Sequence, residues 1–250
     1  MILKAIDRIL WLTYGNHGSS KENREKAEIV LKTLSSSGAV PRSELMRQIG
    51  LDEDVESDVD SFNDLVRPLK GKKSSNPLQV CFLLSSKEDG DVYYRLSRGA
   101  FSASFLKMKS DILYFLDRET APSGDENKIM DQVLWLAYAN HSNTYQHRQK
   151  AREVLKCLIE GGKHDKRHLM IAAGLEYGDE NDDQRFRGMM KYLRASWQDE
   201  EDALNPVHTS SHGFLVHQEM QRKTAYYKIS TREFKSSMNV VSANIRQFMS

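Results

Sequence analysis

The stretch Ile9-Leu10-Trp11-Leu12-Thr13-Tyr14-Gly15-Asn16-His17 returns as Val133-Leu134-Trp135-Leu136-Ala137-Tyr138-Ala139-Asn140-His141, an offset of 124 from Trp11 to Trp135. The offset holds without a gap through Arg24 and Arg148, Lys26 and Lys150, Ala27 and Ala151, and Val30-Leu31-Lys32 and Val154-Leu155-Lys156. It continues through Leu45-Met46 and Leu169-Met170, Gly50-Leu51 and Gly174-Leu175, Phe62 and Phe186, and Leu69 and Leu193. Self-similarity over that length means one fold written twice, and it governs every later assignment. Further on the offset grows to 133, so that Tyr93-Tyr94-Arg95-Leu96-Ser97 meets Tyr226-Tyr227-Lys228-Ile229-Ser230. The second copy thus carries extra residues between Trp197 and Phe214, and added length belongs in surface loops, which bury little backbone.

Thr120-Ala121-Pro122-Ser123-Gly124 is a run of small, turn-forming residues, and it divides the chain into repeat 1 (1–119), a linker (120–125) and repeat 2 (126–250). In repeat 1 the apolar spacing predicts a helix from Leu3 to Tyr14 and another from Lys21 to Leu34, with Ala27, Val30, Leu31 and Leu34 inward. Gly15-Asn16 tolerates a left-handed cap, and the Asn-His pair shared by Asn16-His17 and Asn140-His141 reads as capping. Val40 to Leu51 reads as a short helix opened by Pro41 or Ser43 and closed by Gly50, and a longer helix follows through Phe62, Leu65, Val66 and Leu69. Leu78 to Leu84 and Val92 to Leu96 read as strands, with Glu88-Asp89-Gly90-Asp91 as the hairpin tip. The closing helices carry Phe101, Phe105, Met108, Ile112 and Phe115, echoed by Phe234, Met238, Val241, Ile245 and Phe248. Such a stripe reads first as core and second as a homodimer surface on the last helix. The fold class is mainly α with small β-hairpins, an α+β chain of two tandem domains.

This order of elements, with the strand ending Tyr94-Arg95-Leu96-Ser97, resembles the winged-helix (helix-turn-helix) superfamily over most of both copies. The resemblance implies that the helix after the turn enters the major groove of double-stranded DNA while the hairpin, the wing, touches backbone. It implies a non-enzymatic DNA-binding protein, such as a transcriptional regulator or a plasmid or phage replication factor. Repeat 2 offers Gln184, Arg185, Arg187, Lys191 and Arg194 on that helix, and Arg222 and Lys223 at the wing tip. Lys166 and Arg167, with Arg42 and Arg47, lie on the short helices as further phosphate contacts. Lys70, Lys72 and Lys73 gather at the far end of the corresponding helix of repeat 1.

Repeat 1 departs from that pattern. Asp52, Glu53, Asp54, Glu56, Asp58, Asp60 and Asp64 cover the approach and helix that would meet DNA, where carboxylates and phosphates repel. Acids near a helix N-terminus complement its dipole, which is the bland reading. The functional reading is a surface for a basic protein partner at Asp54, Asp58, Asp60 and Asp64, since tandem winged-helix proteins also serve as interaction adaptors.

Composition sets the remaining bounds. A net charge of +1 announces no global field, so any nucleic-acid face must come from local clustering. Cys81 and Cys157 are far apart, which predicts reduced thiols in the cytoplasm, on the nucleoid for a DNA binder or in the nucleus of a eukaryote. The N-terminal run is apolar on one side only, broken by Lys4, Asp7 and Arg8, so neither a signal peptide nor a membrane span is expected. His164 and His168 lie four apart on an expected helix, and His208, His212 and His217 cluster near the second wing. Neither group shows a cysteine or carboxylate arranged to complete a tetrahedral site, so no metal or cofactor is expected. No Gly-rich phosphate loop, nucleophile elbow or His-Glu metal motif points to an enzyme.

Overall fold

The computed structural model describes residues 2–14, 21–71, 78–117, 126–138, 145–194 and 215–250. The linker at 120–125 and the Asn-His pairs lie outside them. Repeat 1 contributes α1 (Ile2–Tyr14), α2 (Lys21–Ser37), β1 (Val40–Pro41), α3 (Arg42–Gln48), α4 (Glu56–Leu69), β2 (Leu83–Glu88), β3 (Asp91–Leu96) and α5 (Arg98–Leu116). Repeat 2 gives the same order: α6 (Glu126–Tyr138), α7 (Tyr145–Gly161), β4 (Lys163–Asp165), α8 (Lys166–Ala172), α9 (Glu180–Arg194), β5 (Val216–Gln221), β6 (Thr224–Ile229) and α10 (Thr231–Met249). The chain is mainly helical with two small antiparallel sheets, ordered β1-β3-β2 and β4-β6-β5.

The sequence repeat is kept because each copy closes its core with the same contacts. Tyr14 donates its hydroxyl hydrogen to the Leu65 carbonyl, and Tyr138 donates to the Met189 carbonyl at 2.7 Å. Both phenols are buried, and desolvation raises both above the ordinary tyrosine pKa. Phe62 meets Tyr94 edge-on at 5.5 Å, and Phe186 meets Tyr227 likewise at 5.8 Å, which fastens each sheet to the helix after the turn. The turn itself needs glycine. Gly50 and Gly174 have φ of +75° and +64°, and the next residue donates back into the short helix, Leu51 to Met46 at 2.9 Å and Leu175 to Met170 at 2.8 Å. That pattern closes α3 and α8 and starts the loop that re-aims the chain into α4 and α9.

Three details differ from the sequence reading. Val40–Pro41 and Lys163–Asp165 are strands pairing with β3 and β6, too short for any hydrophobic period to reveal. β2 begins at Leu83 rather than Leu78. Leu78, Val80 and Phe82 do alternate inward, but Gln79 takes a φ of +54° and the Phe82 amide donates to the Leu69 carbonyl at the end of α4, so only the Phe82 carbonyl, accepting from the Ser97 amide, reaches the end of the sheet. The closing stripes end on Leu116 and Met249, not Phe115 and Phe248, because four residues, not three, return a helix to the same face after Ile112 and Ile245.

The chain packs as two compact units, one of Met1–Met108 with Val241–Ser250 and the other of Lys109–Val240. The repeat boundary divides the sequence, whereas these units divide the packing: the last turns of α5 belong to the second unit and those of α10 to the first. Phe234, Met238, Val241, Ile245 and Met249 are buried within the chain, so this stripe is core, as its first reading expects, and not the homodimer surface of the second. Among the described residues no helix is long and apolar enough to cross a membrane.

Candidate nucleic-acid interface

α9 is amphipathic at helical spacing. Phe186, Met189, Met190 and Leu193 are buried, which turns Gln184, Arg185, Arg187 and Lys191 to solvent on the opposite side. Its four bases against three acids leave a charge of +1, whereas α4 carries four acids against one base, a charge of −3. The same structural position therefore presents opposite fields in the two repeats.

The acids of α9 organise its bases. Arg185 pairs with Asp182 at 2.8 Å, Arg187 pairs with Asp183 at 2.6 Å, and Lys166 at the start of α8 reaches the same Asp183. The hydrogen bond from Lys166 is the main reason the Asp183 carboxyl is held below the ordinary range; for Asp182 the main reason is the Glu176 backbone amide, 2.9 Å away. Both arginines are exposed, and exposed pairs of this kind are worth about 0–1 kcal/mol, so each guanidinium exchanges readily for another anion. Among the described residues Gln184 makes no side-chain hydrogen bond.

Repeat equivalence separates structural roles from free ones. Asp58 accepts from the Asp52 amide at 2.9 Å just as Asp182 accepts from that of Glu176, so both hold the loop before their helix. Lys70 lies 5.3 Å over the Tyr94 ring and Arg194 lies 6.0 Å over Tyr227, again at matching positions. In repeat 1 the cations are answered locally: Arg42 pairs with Glu53 at 3.0 Å, Arg47 with Glu44 at 2.5 Å, and Arg67 with Asp64. Asp54 gives only its backbone amide, to the Asp52 carboxylate at 3.0 Å, and the exposed carboxylates of Asp54 and Asp60 make no ion pair among the described residues. Lys72 and Lys73 lie outside the described residues.

The two hairpins diverge at their tips. Each is a two-residue turn with φ positive at both positions, the geometry that suits the twist of a tight hairpin. Repeat 1 fills it with Asp89 (φ 50°) and Gly90 (φ 97°), which accept that backbone easily. Repeat 2 fills it with Arg222 (φ 45°) and Lys223 (φ 71°), side chains for which left-handed backbone costs about 1–2 kcal/mol per residue. Neither makes an ion pair among the described residues.

Charge alone did not find every exposed feature here. Ile171 is 60% exposed on α8, Tyr177 54% exposed in the loop before α9, and Met220 62% exposed on β5; their counterparts in repeat 1 are Arg47, Glu53 and Lys87. Arg167 lies over the Tyr177 ring at 5.9 Å. Comparing the two repeats position by position carries the signal, because an apolar residue replaces a charged one at each of the three sites.

The histidines sit differently from the sequence reading. His164 is in β4, not on a helix, and only His168 belongs to α8. Their rings stack at 4.4 Å, and Cys157 from α7 joins them so that one donor atom from each of the three lies within 4.8 Å of the others. The expectation that no cysteine accompanies this pair is overturned: helix α7 ends at Gly161 and Gly162, at φ +90°, folds the chain back upon it. His217 is apart, its Nδ1 3.4 Å from Glu233, and His208 and His212 fall outside the described residues.

No family model matches the sequence, and no curated protein or solved structure is significantly similar to it.

Proposed function

We propose that each repeat is a winged helix and that repeat 2 binds double-stranded DNA, with α9 in the major groove and the β5–β6 turn on the phosphate backbone. The order helix, strand, helix, helix, hairpin supports the first half of this reading, as does the last strand lying between the other two in each sheet. The observation that carries the second half is the Arg222-Lys223 turn. Two cations occupy a backbone that favours Asn or Gly, and strain of this kind persists where a function needs the side chains. Arg185, Arg187, Lys191 and Gln184 then supply the base-edge and phosphate contacts of α9, and Lys166 and Arg167 flank them.

The test is fluorescence anisotropy of the full chain with random duplex DNA across a range of salt. Each phosphate neutralised adds about 0.9 to the slope of log affinity against log salt. Replacing Arg185, Arg187 and Lys191 together by Glu weakens binding and flattens that slope; affinity unchanged by the triple reversal refutes the DNA reading.

Repeat 1 supports a second role. With α4 at −3 and Val55 exposed at its start, this face repels phosphate and suits a basic protein partner, so duplication has released one copy from DNA to act as an adaptor.

A further inference from the structure

We propose that Cys157, His164 and His168 form a binding site for a borderline-soft divalent metal ion, Zn2+ being the ion their chemistry fits, with a fourth coordination position left to water. The site is independent of the DNA reading. Two imidazoles and one thiolate make a donor set suited to zinc, and the open position distinguishes it from closed four-ligand structural sites.

The placement follows from the local chain. Cys157 lies on the last turns of α7, the turn at Gly162 reverses direction, His164 follows in β4, and His168 is in the first turn of α8. Asp165 caps α8 by accepting from the His168 amide at 2.8 Å, which fixes the backbone that aims the second imidazole. The donor atoms already lie within 4.8 Å of one another. Tetrahedral bonds of about 2.3 Å to sulfur and 2.0–2.1 Å to nitrogen set donors roughly 3.4–3.6 Å apart, so closure needs movements of about 1 Å, within reach of side-chain rotation.

His164 supplies a second observation. Among the described residues its Nε2 is buried without a hydrogen-bond partner, while the ring makes a backbone hydrogen bond with Cys157. An orphaned buried nitrogen is rare, and a ligand nitrogen oriented by a bond from the rest of its ring is how metal-binding histidines are held. Ligation expels the Cys157 proton to solvent as the sulfur–metal bond forms.

Repeat 1 shows what the site does. The positions of Cys157, His164 and His168 are there Thr33, Val40 and Glu44, and Thr33 donates to Gln48, joining α2 to α3 by a hydrogen bond. Ala172 stands at the Gln48 position in repeat 2, so that link is absent there. The metal replaces it as the tie between α7 and α8.

The experiment uses the full chain stripped with chelator and titrated with Co2+ as a spectroscopic probe. One equivalent should produce a thiolate-to-cobalt charge-transfer band with tetrahedral visible absorption, and Zn2+ should displace it and raise the melting temperature. Cys157→Ser should abolish the charge-transfer band, and His168→Ala, at an exposed side chain that the fold tolerates, should weaken binding at least ~10-fold. Cys81→Ser should change neither. No charge-transfer band in the unaltered protein overturns the proposal, as does an equal band in the Cys157→Ser variant or unchanged affinity in His168→Ala.

Discussion

The Arg222-Lys223 turn sets stability against function in a way that can be measured. Replacing it with Asn-Gly (Arg222→Asn, Lys223→Gly) keeps the two-residue hairpin and fits residues that accept its backbone, φ 45° and 71°. Relief of left-handed strain is worth about 1–2 kcal/mol per residue, and the greater freedom of glycine in the unfolded chain takes back roughly 0.5–1 kcal/mol. A net gain of about 1–3.5 kcal/mol is expected, which for a chain of this size raises the melting temperature by roughly 2–14 °C. The same replacement removes two cations from the proposed backbone contact, so the slope of log affinity against log salt should become shallower by about 1.8. Thermal unfolding followed by circular dichroism reads the first quantity, and anisotropy at several salt concentrations reads the second. Greater stability with an unchanged slope would show that the cations do not meet phosphate; no gain in stability would refute the strain argument itself.

Other substitutions test the packing and the division of labour. Tyr138→Phe removes the hydrogen bond to the Met189 carbonyl and should cost about 1 kcal/mol by denaturant titration. Because burial raises the Tyr14 and Tyr138 pKa values, the stability they contribute is whole below the unfolded tyrosine pKa of about 10 and is lost as pH climbs toward the folded values; the Tyr14→Phe, Tyr138→Phe double variant should show a flatter alkaline limb. Gly71→Ala should destabilise by about 2–3 kcal/mol, since its Cβ would come within 2.8 Å of the Val80 carbonyl oxygen at φ +68°, whereas Gly90→Ala, with nothing within 4 Å, should show only the strain of φ +97°, about 1 kcal/mol. Asp58→Ala should lower the melting temperature by releasing the Asp52 amide, while Asp60→Ala should leave it unchanged and weaken binding of a basic peptide; equal effects on stability would mean that α4 has no free acidic face.

How much of this was legible follows from the length scale of each signal. The α2 core residues Ala27, Val30, Leu31 and Leu34 span several turns of period 3.6 and are buried as expected. β1 has two residues, which no period can mark, and the segment from Leu78 to Phe82 alternates in burial without entering a sheet, because alternation reports which side faces inward and not which backbone groups pair. The charges of the candidate interface were visible, but their pairing was not: Asp182 and Asp183 are neighbours in sequence, yet one serves the Glu176 amide and the other Lys166, a choice made by the loop that brings α8 against α9.

Cys157 is the sharpest case. Read along the chain, it is four residues before a glycine pair and seven before the nearest histidine, a spacing that resembles no helical or fingered ligand pattern. It becomes a ligand candidate only because α7 stops where it does and the strand pairing of His164 with Tyr227 holds the returning chain beside it. The repeat offers the signal that the spacing lacks. Thr33 and Gln48 hold the same corner in repeat 1, and repeat 2 has Cys157 and Ala172 at those positions. Where one copy of a duplicated fold joins two helices by a hydrogen bond and the other places a thiol and two imidazoles at the same corner, the difference between the copies marks the donor set that the spacing along the chain conceals.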